Sequence, residues 1–221
     1  MRRVALILGA AVLVLLVAAQ LVLPGIAERR VREALEGVAA VSDVEVDSFP
    51  AVKLLFGEID LLAARLEQSD STQSDIAALV ARTERIDKLR AEAGRARVPG
   101  LYLSDARLVK DGDRIGADAT VTLAQLQAVA LTGTQVDRVS STDGASLRVD
   151  GSFTVLGARI PGPARVSPAG GAIVLAPEGG LLSSLAQVTV FRDDRLQVTG
   201  LRAREEGDRI RLGADALLVP G

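Results

Sequence analysis

Three spacings of hydrophobic positions divide the chain. From Val4 to Leu23 the run VALILGAAVLVLLVAAQLVL has Gln20 as its only strongly polar residue, and a helix needs about 20 such residues to cross a bilayer core. Arg2 and Arg3 ahead of it make a positive n-region, and Val17–Gln20 supplies the small residues at which a signal peptidase cuts, after Ala19. Residues 1–25 therefore read as a transmembrane signal anchor or a cleaved signal peptide. No lipobox cysteine is present. Beyond Pro24-Gly25 the spacing turns helical: IAERRVREALEGVAAV puts Val31, Ala34, Leu35 and Val38 on one face, which predicts an amphipathic helix over 26–37. DVEVDSF then alternates, Val44 and Val46 against Asp43, Glu45 and Asp47, as a half-buried strand does. Pro50 ends it, because proline cannot donate to a ladder. After the apolar stretch AVKLLFG, FGEIDLLAARLE reads as a second strand in which Leu61-Leu62 breaks the alternation.

QSDSTQSD supplies helix-capping residues, and Ile76, Leu79, Val80, Thr83, Ile86 and Leu89 follow near helical spacing, which predicts a helix over 75–93. VTLAQLQAVAL predicts a shorter one over 121–131. The remaining sequence from Leu101 onward is strand and turn: LYLSDARLV, RIGADATV, SLRVDGSFTVL, AIVLAP, AQVTVF, RLQVTG and RIRLGADALLV are separated by Gly, Pro or Asp, with KDGDR and RDDR at hairpin positions. The clearest alternation runs from Leu147 to Val155. DGDRIGADA (111–119) and EGDRIRLGADA (206–216) echo each other, either as a remnant of duplication or as two turn-plus-strand segments shaped by the same physics.

Composition narrows the chemistry. The 221 residues suffice for one sizeable domain, 26–221, once the N-terminal segment is set aside. With 26 Lys plus Arg against 28 Asp plus Glu, no basic surplus favours nucleic acid, and at 2% aromatics there is no base-stacking platform. The absence of histidine and cysteine removes the usual general base, the commonest transition-metal ligands and thiolate chemistry. Carboxylates alone would serve glycoside hydrolysis, but no pair stands out among the 28 acids. SPAGGAIVLAPEGG lacks the lysine of a phosphate-binding loop, and the acids of RDDR and REEGDR are flanked by arginines without a calcium-loop pattern. These features point to a non-catalytic protein with no cofactor. Strands with one dry face need a cover, and the three predicted helices are candidates for it. An aliphatic groove between sheet and helix would suit acyl chains, and an ordinary filled core fits the same pattern.

The order of parts resembles the LmeA-like phospholipid-binding family of actinobacterial cell-envelope proteins. The resemblance is carried by a hydrophobic N-terminus, the helix Ala27–Leu35, the strand Val44–Phe49 ending at Pro50, and LLFGEID with Gly57. VTLAQL at Val121–Leu126, LRVDGSFTVLG and VTVFRDDRLQVTG follow in the family's order, while Ser48 stands where the family carries glycine. The resemblance implies an α+β fold like that of tubular lipid-binding domains, a strongly curved antiparallel sheet wrapping helices around an acyl-chain cavity. It also implies phospholipid and membrane as partners, at the cell envelope or in secreted form. Phe49, Leu54, Leu55 and Phe56 are then the candidate lipid-binding residues, placed at the mouth of the groove. The rival expectation is an envelope interaction protein with a filled core.

Overall fold

A computed structural model describes residues 20, 23–33, 39–70, 86–98, 101–129, 135–155, 158–178 and 187–219. Residues 23–33 are helical (α1). They are followed by β1 (Ala39–Asp47), a 3-10 helix (Ala51–Phe56), β2 (Ile59–Asp70), β3 (Ile86–Val98), β4 (Leu101–Asp111), β5 (Arg114–Thr122) and the helix α2 (Leu123–Val129). Then come β6 (Gln135–Thr142), β7 (Ser146–Val155), β8 (Ala158–Ala169), β9 (Ala172–Pro177), β10 (Val188–Arg192), β11 (Leu196–Glu206) and β12 (Arg209–Leu218). The strands form a seven-stranded sheet, β1-β2-β3-β4-β5-β12-β11, and a five-stranded sheet, β10-β9-β8-β7-β6. All pairings are antiparallel except β2 with β3.

This corrects the expected α+β fold with helices wrapped by one sheet. The protein is predominantly β, and the dry face of the large sheet is covered chiefly by a second sheet. Among the described residues no helix is long and apolar enough to cross a membrane, and the predicted span Val4–Leu23 lies outside them apart from Gln20 and Leu23.

The helix expected over 75–93 is also corrected. Residues 86–93 belong to β3, and 75–85 lie outside the described residues. The spacing of buried Ile86, Leu89 and Ala93 imitates a helical face. Two neighbours override that local preference by supplying a full ladder on each side: β2 pairs in parallel, Ala64 opposite Ala91, and β4 in antiparallel, Ala106 opposite Ala93. On the wet face Glu92 sits between Arg65 at 3.7 Å and Arg107 at 2.8 Å, so residues that suit a helix serve here as a cross-strand charge ladder. Of the helix predicted over 121–131, residues 123–129 form α2, Val121 and Thr122 belong to β5 and 130–131 lie outside the described residues, and the one predicted over 26–37 is helical through residue 33, with 34–38 outside the described residues.

Two cores sit on the dry face of the large sheet. Near its β1 edge Val44, Val46, Leu62, Ile86 and Leu89 are covered by Ala27 and Val31 of α1. At its other end Val121 and Ile210 pack against Val139, Val149 and Ala164 of the second sheet, with Leu123 and Leu126 of α2 alongside. The second sheet is fixed at a seam along β11. There Ser141 Oγ accepts from Ala203 N (2.7 Å) and donates to Ala203 O (3.0 Å), Leu201 N donates to Ala145 O (3.1 Å), and Arg138 forks onto Glu205 at 2.9 and 3.3 Å.

The two echoing segments are neighbours in space. Gly116, Ala117 and Asp118 of β5 face Asp215, Ala214 and Gly213 of β12. Each glycine thus lies opposite the other segment's aspartate. A Cβ on Gly213 would stand 3.0 Å from Asp118 Oδ1, so the missing side chain makes room for the carboxylate.

Candidate functional site: an apolar cavity between two sheets

Between the two cores lies a cavity of about 880 Å³. Its origin is readable strand by strand. The large sheet contributes Ala91 and Ala93 from β3, Ala106 from β4, Ala117 and Ala119 from β5 and Ala214 from β12, with Leu66, Leu103, Leu108, Leu201 and Leu212 around them. The facing wall is bulkier: Val136, Val139, Leu147, Val149, Val166, Ile173 and Leu175, with Leu126 of α2 also in the lining. Small side chains on one wall leave the space that large ones would fill. Glu92, Arg107 and Asp118 border the cavity through strand positions between the inward alanines, and their side chains belong to the opposite, wet face. Thr189 brings a hydroxyl at the β10 edge, beside Val188 and Val190.

Such a site binds by apolar contact. A buried methylene contributes about 0.8 kcal/mol, and the volume falls within the range of ordinary small-molecule pockets, about 300–1,000 Å³. Among the described residues no group of three or more His, Cys, Asp or Glu is arranged to hold a metal.

The residues singled out from sequence lie elsewhere. None of Phe49, Leu54, Leu55 and Phe56 is among the cavity's described lining. Leu54 packs on the β1–β3 core, whereas Phe49, Leu55 and Phe56 are exposed at the turn between β1 and β2. That turn is tightly fastened. The Phe49-Pro50 bond is cis, and Gly57 closes the 3-10 helix with φ 75°, a left-handed conformation that glycine adopts without strain. Asp60 Oδ2 accepts from Phe49 N at 2.7 Å, and its Oδ1 pairs with Lys53 Nζ at 3.0 Å. Ser48 is fully buried, and its hydroxyl donates to Glu58 O at 3.4 Å.

The bonds from Phe49 N and Lys53 hold the Asp60 carboxyl below its ordinary pKa of 3.8. A lowered folded pKa means the carboxylate's contribution to stability is complete above 3.8 and is lost as pH falls through the lowered value. Asp60→Asn removes that charge. Acid unfolding followed by circular dichroism should therefore show the wild-type advantage over Asp60→Asn shrinking as pH falls below about 4; parallel curves would show that the turn does not draw on this carboxylate.

No family model matches the chain, and neither does any curated protein or solved structure.

Sequence reasoning missed the cavity-lining strands β3, β6 and β8 altogether. One signal was available: A-x-A at Ala91/Ala93 and Ala117/Ala119, with Ala214 in the echoing segment, is alternation in which the inward residue is too small to fill a core.

Proposed function

We propose that the protein binds phospholipid without covalent chemistry, holding acyl chain in the cavity between its two sheets, at the cell envelope. The observation that carries this reading is the alanine wall of β3, β4, β5 and β12 facing the aliphatic wall of the second sheet across about 880 Å³. An acyl chain asks for apolar area and few directed hydrogen bonds, and these walls offer that combination. A filled core, the alternative, would need bulky inward residues where those strands carry alanine. The arrangement also fits the resemblance to the LmeA-like phospholipid-binding proteins.

The test is a titration of the full chain with a phospholipid bearing a fluorophore at the end of one acyl chain. The expected result is saturable enhancement at one site, displaced by unlabelled phospholipid and not by its water-soluble headgroup. Enhancement that never saturates, or displacement by headgroup alone, would remove the acyl-chain reading.

A further inference from the structure

The turn between β1 and β2 has an organisation that water does not require. Phe49 is 75% exposed, Leu55 67% and Phe56 73%, so two of the chain's four phenylalanines stand out from one short tip. Five backbone N–H groups of the turn are nevertheless bonded within the protein. Phe49 N donates to Asp60, Ala51 N to Gln20 Oε1 at 2.8 Å, Lys53 N to Pro50 O at 3.0 Å, Gly57 N to Leu54 O at 3.2 Å and Glu58 N to Lys53 O at 3.2 Å, while Pro50 has no N–H to place. Lys53, the only charged residue between Phe49 and Gly57, is neutralised by Asp60. Hydrocarbon outside and backbone polarity satisfied inside is what entry into lipid demands.

We propose that this tip docks into the hydrocarbon boundary of a phospholipid bilayer. Gln20 favours a bilayer over an apolar groove on another protein. Its carboxamide clasps both sides of Phe49-Pro50, donating from Nε2 to Ser48 O at 3.3 Å and accepting at Oε1 from Ala51 N. The sequence immediately before it, Val4 through Ala19, contains no polar side chain. The apolar tip is therefore bonded to the residue that directly follows this apolar run in the sequence, and a lipid phase accepts both where a protein groove would have to be shaped for each. The inference stands on the tip and Gln20 and does not need lipid in the cavity.

The chain has no tryptophan, so Phe56→Trp gives a single reporter in the full-length protein. Tyr102→Trp, at a position 57% exposed at the far end of β4, is the comparison. With phosphatidylcholine vesicles carrying brominated acyl chains, the Phe56→Trp emission is expected to shift to the blue and to be quenched several-fold more than that of Tyr102→Trp. Equal quenching at both positions, or a Phe56→Trp emission that vesicles leave unchanged and iodide still quenches, would overturn the proposal. Leu55→Trp serves in the same way if the first variant does not fold. Repeating the measurement with Ala106→Phe/Ala117→Phe, which fills the cavity, separates the two readings: tip quenching should persist when the cavity no longer takes up lipid.

Discussion

Replacing Ala106 and Ala117 together by phenylalanine should abolish retention of phospholipid while the protein stays folded. Both alanines line the cavity from the large sheet, on β4 and β5, and neither belongs to the fully buried core. Two rings projecting from that wall would occupy space otherwise open to an acyl chain. Excluding even four methylenes removes about 3 kcal/mol of binding, roughly a hundredfold or more in affinity. The rings meet aliphatic neighbours, so their burial offsets part of the local strain, and the far-ultraviolet spectrum should remain that of a β protein. Lipid extraction and thermal melting of the two proteins in parallel check both halves of this expectation. A variant that retains as much phospholipid as the wild type would place the ligand elsewhere or remove it from the account.

Gly151→Ala should produce the largest loss of stability of any single methyl addition at a described glycine. Gly151 lies on β7 opposite Val136, where the register of β6 shifts between Val136 and Arg138. A Cβ there would stand 1.9 Å from Gln135 O and 3.0 Å from its carbonyl carbon. These are backbone atoms, which cannot rotate away as a side-chain tip can, so β6 would have to leave β7. The expected cost is on the order of 3 kcal/mol or more, which lowers Tm by roughly 6–12 °C for a chain of this size. Gly94→Ala on β3 is the control, because its Cβ would meet Glu67 O at an ordinary 3.5 Å. Similar melting of the two variants would mean that β6 and β7 are not held at the register described.

Much of the fold was legible wherever alternation was strict. Val44 and Val46 are buried between exposed Asp43, Glu45 and Asp47, and the VTLAQL signal yields α2. Legibility failed where local chemistry and tertiary pairing disagree. β3 carries three Ala and three Arg, and only its two flanking strands make it extended. β8 contains Pro161, Pro163 and Pro168, which argue against a strand lying between two others. Its neighbour β9 pairs only with Ala164–Ala169, so the first two prolines fall where that ladder has ended and their missing N–H groups cost little. The exposed Phe49–Phe56 tip was visible as an apolar turn, although its distance from the cavity was not. Periodicity tells which face of a strand is dry, not whether the space above that face is filled. Here the size of the inward residue, alanine against valine or leucine, carried that information.

Native mass spectrometry with lipid extraction on the full chain, using a detergent whose mass is distinguishable from that of any phospholipid, asks directly whether the cavity holds lipid. The expected result is about one phospholipid retained per chain, lost in Ala106→Phe/Ala117→Phe. A well-folded wild-type protein that carries no lipid and takes up none when phospholipid is added would contradict it.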